Sequence, residues 1–395
     1  MTVTNDIKYI GVNDHEIDLF EGQYIVPNGM AYNSYVIMDE KIAVMDTVDQ
    51  NFTDEWFAKL ETELAGRTPD YIVVQHMEPD HSANLANFME KYPTATVVAT
   101  AAAFNMMKNF FGKDYADRRM MVKEGDTLSL GKHELTFVMA PMVHWPEVMV
   151  TFDTTDGILY SADAFGTFGA LAGNVFADEV DFENKWLDEA RRYYTNIVGK
   201  YGPQVQMALK KALALDIKMI CPLHGPIWRE NIAWFVDKYN KWSTYTPEDN
   251  TVLIAYASIY GGTENAANIL ASELAKKGIK NIAMTDVSVT HPSYIISEAF
   301  RCSHIVFAAP TYNAGIFTPM ETLLLDLAAH NLQNRTVAFL ENGSWAPISA
   351  KLMGDIVAKM KNMTVLASKA TLKSTVKDAQ REELKTLASE IAETL

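Results

Sequence analysis

Residues 75–85 read QHMEPDHSANL and directly follow the apolar run Tyr71-Ile72-Val73-Val74. Such a run suits a buried strand, so His76, Glu78, Asp80 and His81 begin where that strand ends. Two histidines and two carboxylates in one short turn repel and desolvate one another unless a cation compensates. The turn therefore predicts a metal site, with further ligands supplied from elsewhere in the chain. If strand geometry continued, residues 76, 78 and 80 would face one way and His81 would point across the site.

Three further candidates occupy equivalent positions. His144 follows a strand at 135–140 in APMVHWPE, Asp163 follows one at 158–160 in LYSADAFG, and His224 follows one at 217–221 in CPLHGP. Each is a ligand-capable side chain at the carboxyl end of an apolar strand, with Gly or Pro fixing a tight loop. Of the remaining histidines, His15, His133, His291 and His330 read as surface residues, and His304 as strand packing.

A chain of 395 residues exceeds one ordinary core, so two domains are expected. Up to about residue 248, strands arrive partly as hairpins, as in SYVIMDEKIAVMD at 34–46. Others fall at 71–75, 96–99, 135–140, 148–152 and 158–160, with a helix over 183–198. That texture predicts an α+β layered sandwich with helices packed outside. The polar stretch STYTPEDN at 243–250 marks a linker. After it, strands at 251–257, 281–287, 304–309, 336–340 and 365–370 each lead into a helix, the doubly wound α/β rhythm. The expected domains are 1–248 and 249–395.

Composition removes several function classes. The net charge of −16 argues against a nucleic-acid partner, which needs clustered Lys and Arg. The only cysteines, Cys221 and Cys302, exclude a disulfide framework, and without a C-x-x-C pair no iron–sulfur cluster or built-in rubredoxin module is ligated. Both sit in apolar, strand-like contexts and are expected to be buried. The N-terminus lacks signal-peptide features, and the longest uncharged stretch, 302–320, is broken by Pro310 and Pro319. A soluble, cytoplasmic protein without a membrane span is expected.

The second domain carries its own candidate site. Ser258, Ile259, Tyr260, Gly261, Gly262 and Thr263 join its first strand to its first helix. Two hydroxyls, two glycines and a helix N-terminus make an anion cradle. The loop lacks the lysine of a P-loop and the spacing of a dinucleotide fingerprint, so ATP and NAD fit poorly. Pro310, Thr311, Tyr312, Asn313, Ala314 and Gly315 follow the third strand. Glu341, Asn342, Gly343, Ser344, Trp345 and Ala346 follow the fourth. Ligands of doubly wound folds bind at the carboxyl ends of strands, and Tyr312 and Trp345 offer flat faces to a planar ring. Together the three loops resemble flavodoxin, and the short phosphate loop suits FMN better than FAD.

The order H-x-E-x-D-H, then His, Asp and His, resembles the metallo-β-lactamase superfamily, whose binuclear sites lie on strand-end loops of an αβ/βα sandwich. Hydrolytic zinc members usually carry histidine where this chain has Glu78. A harder, oxygen-rich donor set shifts preference toward iron or manganese. With Glu78 in place, the pattern resembles the flavodiiron proteins at every ligand position. That resemblance implies one iron on His76, Glu78 and His144, a second on Asp80, His81 and His224, and Asp163 bridging them. Some members leave the histidine matching His81 off the metal. It also implies reduction of dioxygen to water or of nitric oxide to nitrous oxide, with FMN passing electrons to the irons. An external rubredoxin-like donor and a head-to-tail homodimer, or a dimer of dimers, complete the expectation. The competing readings are a binuclear metal hydrolase carrying a flavodoxin module, and an electron carrier with a vestigial metal site.

Overall fold

The structure, a computed structural model, describes all 395 residues, and they form two compact units. The first is Met1–Tyr194 with Pro203–Asn240, and the second is Thr195–Gly202 with Lys241–Leu395.

The first unit is built on two sheets. One has the order β1 (Ile7–Tyr9), β2 (Tyr35–Ile37), β3 (Ala43–Met45), β4 (Tyr71–Val73), β5 (Thr96–Ala99) and β6 (Arg119–Met121). The other runs β7 (Thr127–Ser129), β8 (Glu134–Met139), β9 (Met149–Asp153), β10 (Ile158–Tyr160) and β11 (Met219–Cys221). Hairpin pairs come first in each sheet, β2 with β3 and β8 with β9, and parallel pairs follow, β3 with β4 and β10 with β11. Tyr35, Ile37, Met45 and Val73 share one core with Leu135, Phe137, Met149, Tyr160 and Cys221. The intervening Val36, Val44, Ile72 and Val97 are equally buried on the outer face, which is why these strands read as continuous apolar runs. The result is the expected αβ/βα sandwich.

The second unit is a parallel sheet in the order β13 (Ile282–Asp286), β12 (Asp249–Tyr256), β14 (Cys302–Tyr312), β15 (Thr336–Asn342) and β16 (Thr364–Leu372). Leu253, Ile305, Phe307 and Val337 pack on one side against helices Pro292–Arg301, Thr318–Ala329 and Ser349–Val357. Ile254, Val306, Leu340 and Ala370 pack on the other, against Gly262–Lys276 and Asp378–Thr394. This is a doubly wound, flavodoxin-like sheet. No helix of the chain is long and apolar enough to cross a membrane.

Two local expectations are corrected. The single helix expected over 183–198 is broken into Phe182–Lys185, Leu187–Tyr193 and a wider π-type turn, Tyr194–Val198. Thr195–Gly202 belong to the second unit, where the Tyr245 hydroxyl donates to Gly199 O at 2.9 Å. His133, expected on the surface, is buried. Its polar setting GKHE is a turn between β7 and β8 that folds back onto the start of β8, whose Leu135 pairs with Asp153. There its Nδ1 lies 2.8 Å from Asp153 Oδ2 and its Nε2 3.4 Å from Asp6 Oδ2, and its backbone N–H donates to Asp39 Oδ2 at 2.7 Å.

The Asp153 hydrogen bond raises the pKa of His133 above its ordinary value, against the opposing effect of burial. A histidine whose folded pKa lies above the unfolded value of about 6.5 stabilises fully below that pH and loses the contribution as pH rises through the folded pKa. His133→Gln is therefore expected to cost about 1.5–3 kcal/mol at pH 6, and clearly less at pH 9. Chemical denaturation at the two pH values checks this, and an equal loss at both would contradict a charged pair.

Candidate metal centre and a loop-lined cavity

Each expected ligand loop reaches the same end of the sandwich. β4 stops at Val73, and the chain beyond it is held by Asp46, which follows β3. Asp46 Oδ1 accepts from Gln75 N at 2.7 Å and from His76 N at 3.4 Å, and Oδ2 accepts from Gln75 Nε2 at 2.9 Å. Strand geometry does not continue through the turn, because Pro79 opens a short helical segment, Pro79–Ser82. Residues 76, 78 and 80 thus do not face one way, which corrects the expectation. His76 and Glu78 go to one group, and Asp80 and His81 to another.

The first group is His76, Glu78, His144 and Asp163, and the second is Asp80, His81 and His224. In the first, His144 Nε2 lies 3.0 Å from Glu78 Oε2 and 3.1 Å from Asp163 Oδ2. His76 Nε2 is 3.2 Å from each of the same two oxygens. In the second, His81 Nε2 lies 3.0 Å from His224 Nε2, and both nitrogens are 3.3 Å from Asp80 Oδ2. Asp163 Oδ1 faces this group, 3.2 Å from His81 Nε2 and 3.6 Å from His224 Nε2. One carboxylate therefore presents a different oxygen to each group. Donors bound to one ion at about 2.0–2.2 Å stand about 3.0–3.4 Å apart, which matches these separations.

The hydrogen bonds behind the imidazoles fix their tautomers. His76 Nδ1 is 2.8 Å from Glu147 Oε1, and His224 Nδ1 is 2.7 Å from Ala31 O. With Nδ1–H donating outward, each Nε2 is the nitrogen that faces the carboxylate oxygens and can hold an ion once any proton on it is displaced. Both oxygens of Asp80 and of Asp163 are buried and accept no hydrogen bond. Lone pairs facing lone pairs in a water-free site require positive charge between them, so this donor set fits a pair of cations. The loops are held in place tightly: Met142 and Ala162, just ahead of His144 and Asp163, have φ of 65° and 50°. After His224, Gly225 has φ 73°, and a Cβ there would lie 2.1 Å from Thr167 Cγ2.

Titration behaviour follows from the same contacts. Burial opposes ionisation of Asp163, yet His76, His81 and His144 hold its carboxyl well below the carboxylate range. Burial likewise opposes ionisation of Glu78, which His144 and His76 hold low. Burial pushes Asp80 up to about 7, with His81 opposing and Glu78 and Asp163 adding to the rise. Burial disfavours the charged form of His144, but Asp163 and Glu78 raise it to about 9. Burial lowers His224.

In the second unit a cavity of about 700 Å³ lies at the carboxyl ends of β12, β14 and β15. Ser258, Ile259, Tyr260, Gly262 and Thr263 line it, with Pro310, Thr311, Tyr312, Asn313 and Ala314, and with Asn342, Gly343, Ser344, Trp345 and Ala346. Of the expected loop residues Gly261, Gly315 and Glu341 are not on its wall. Gly261 caps the helix Gly262–Lys276 at φ 82°, and Gly315 closes the hairpin back onto Tyr312. Ser258 Oγ is buried without a hydrogen-bond partner, and a Cβ on Gly262 would come 2.1 Å from Ser374 O. That is a cradle with an unused donor and no room for a side chain, as a phosphate group requires. Trp345 is 90% exposed and Tyr260 97% exposed beside it.

Sequence reasoning missed four contributors. Glu147, in the HWPE motif after His144, was visible only as a carboxylate close to a ligand. Asp46 and Asn33 lie far from the ligands in sequence. Asn33 Nδ2 donates to Pro222 O at 2.9 Å and Gly225 O at 2.8 Å, pinning the His224 loop. Ser374, in a fourth loop lining the cavity, bonds Asn342 in both directions at 3.0 Å, a pairing across the sheet that carries no local signal.

Comparison with known proteins agrees with this architecture. The family model described as ODP family beta lactamase matches residues 30–225. The chain is 32% identical over 357 residues to the nitric oxide reductase of Moorella thermoacetica, covering 89% of this chain and 88% of that one. It is 31% identical over 353 residues to the anaerobic nitric oxide reductase flavorubredoxin of Vibrio vulnificus, covering 87% and 70%. Among solved structures, rubredoxin oxygen:oxidoreductase from Desulfovibrio gigas aligns with a TM-score of 0.93 at 29% identity, covering 100% of this chain and 98% of that one. The flavodiiron protein from Giardia intestinalis shares the fold, with a TM-score of 0.90 at 24% identity over 99% and 95%. A β-lactamase-like sandwich followed by a flavodoxin-like domain defines a class of two-domain oxidoreductases. Within that class, the chain belongs to the flavodiiron protein family.

Metal binding must displace the protons that His76 and His144, and in part Asp80, hold in the free protein at neutral pH. Affinity for manganese(II) is therefore expected to climb between pH 6 and pH 8, by about tenfold per pH unit for each proton released. Calorimetric titration in buffers of different ionisation enthalpy measures the proton count. A binding constant independent of pH over that range would contradict the protonation states assigned to the donors.

Proposed function

We propose that this chain is an oxidoreductase that reduces nitric oxide to nitrous oxide, dioxygen to water, or both. The first unit would hold a non-haem di-iron centre and the second would hold FMN. The observation that carries this reading is Asp163, buried without a hydrogen bond and turning one oxygen to each of two donor groups. On this reading His76, Glu78 and His144 would hold one iron and Asp80, His81 and His224 the other, with Asp163 offering one oxygen to each. FMN and the two irons, when bound, would supply the redox chemistry.

The chain's own residues do the rest. Glu147 and the Ala31 carbonyl keep the protons of His76 and His224 on Nδ1, so both Nε2 atoms stay available as donors. Phe20, Tyr32 and Tyr193 pack their rings 5.6, 5.9 and 5.4 Å from His224 and shield that side from water. Around the cavity, Ser258, Gly262 and Thr263 would take the phosphate, while Tyr312 and Trp345 flank the ring system. The names of the Desulfovibrio and Vibrio proteins support a small rubredoxin-like donor, and the resemblance to flavodiiron proteins supports a head-to-tail homodimer or a dimer of dimers. Two buried free thiols suit a reducing cytoplasm.

Two substitutions test the cofactor assignments separately. Gly262→Ala should weaken FMN binding by at least about tenfold, because the added methyl displaces the Ser374 carbonyl, and should leave the metal content unchanged. Fluorescence titration of the flavin-free protein reads this directly, and unaltered affinity would remove the phosphate from that loop.

Glu78→His addresses the hydrolase alternative. Carboxylate donation suits iron in its higher oxidation state, whereas imidazole moves the site toward zinc. The variant should keep its fold and FMN, hold less iron and more zinc, and nearly lose gas reduction while its flavin stays reducible. Elemental analysis, anaerobic flavin reduction and gas-consumption assays together decide the matter. Full iron content with parental turnover would show that Glu78 is not a ligand.

A further inference from the structure

The two donor groups match in kind but differ in what stands behind them. Each offers two imidazoles, one terminal carboxylate and one oxygen of Asp163. Behind His76 stands the buried carboxylate of Glu147, 2.8 Å from Nδ1. The same oxygen accepts from Met77 N at 2.9 Å, and Thr100 Oγ1 donates to the backbone carbonyl of Glu147 at 3.0 Å, so the group is fixed in place. Its second oxygen is buried and accepts no hydrogen bond, so no further donor spreads its charge. Behind His224 stands only the neutral carbonyl of Ala31, and His81 Nδ1 is buried without a partner. An anion bonded to the outer N–H makes an imidazole a stronger electron donor than a neutral carbonyl does.

We propose that Glu147 lowers the potential of the iron held by His76, Glu78 and His144, making it the first of the pair to be oxidised. The inference rests on the di-iron reading above. The event is the loss of one electron from the ferrous ion at that site to the oxidant used in a titration. No bond is broken, and the proton stays on His76 Nδ1, shared more strongly with Glu147. Glu147 is a positioning residue that acts on the metal through His76.

The test compares the loaded parent with Glu147→Gln, which removes the charge at constant size, and Glu147→Asp, which keeps it at a longer reach. Iron per chain is measured first, followed by an anaerobic potentiometric titration that tracks the half-oxidised pair by its electron paramagnetic resonance. In E147Q the lower midpoint should rise so that the ratio of oxidised to reduced ion changes about tenfold, equivalent to about 59 mV for one electron. The upper midpoint should move less, and E147D should raise the lower midpoint by a smaller amount. Where E147Q does not retain iron, E147D decides. Unmoved midpoints at full iron content, or an equal rise in both, would overturn the proposal. So would a parent whose half-oxidised form never accumulates, whether or not either variant folds. A parent that does not load two irons overturns the di-iron reading instead, which keeps the two failures distinct.

Discussion

A carboxylate sealed from water, without a hydrogen bond and ringed by imidazoles, is tolerable only beside positive charge. Asp163 is in that position, and Asp80 shares it. The loops of the first unit can be read as the means of holding such an arrangement. One donor run follows β4 in the first sheet, while His144, Asp163 and His224 follow β8, β10 and β11 in the second. Ions bound there would therefore join two sheets that also meet through their apolar faces and through hydrogen bonds such as Tyr35 Oη to Pro222 O and Met149 N to Gln75 O. That places the site at the edge of a rigid core, where backbone in left-handed conformations at Met142, Ala162 and Gly225 is held by its surroundings.

The second unit solves a different electrostatic problem. The chain carries a net charge of −16, yet the cradle at Ser258–Thr263 contains no Lys or Arg to receive an anion. Its attraction must come from backbone N–H groups at the start of the helix Gly262–Lys276, from the helix dipole and from the hydroxyls. Such dipoles act at short range and are effective only when the backbone can approach closely. This explains why a Cβ at Gly262 would collide with Ser374. The fully exposed Tyr260 and Trp345 then cost little conformational order until a planar ligand covers them.

Much of this was legible in the sequence because its strongest signals are local. The H-x-E-x-D-H turn, the apolar strands that precede each ligand and the alternating βα rhythm can all be read within a dozen residues. What was not legible depends on folding back. His133 looked like a surface residue because GKHE is polar, and only the pairing of Leu135 with Asp153 brings a buried carboxylate to it. Residues 76, 78 and 80 would share a face only in a continuing strand, and Pro79 opens a helical turn instead. The assignment of Thr195–Gly202 to the second unit rests on contacts such as Tyr245 with Gly199, for which no linear pattern exists.

The donor set also bears on why this scaffold should serve electron transfer rather than hydrolysis. Two divalent cations facing the ligand carboxylates Glu78, Asp80 and Asp163 leave a net surplus of one positive charge. Oxidising both ions adds two more in a region where water cannot help. Each buried carboxylate lowers the cost of that step, since charge interacts strongly where the effective dielectric is low. An imidazole in place of Glu78 would raise the surplus in both states, favouring an ion that never changes its charge. Glu147 extends the same logic one bond outward, because its anionic oxygen reaches the site through His76 without occupying a coordination position. Carboxylate count and carboxylate placement are thus separate controls: the first selects for ions that can be oxidised, and the second makes two otherwise matched sites unequal.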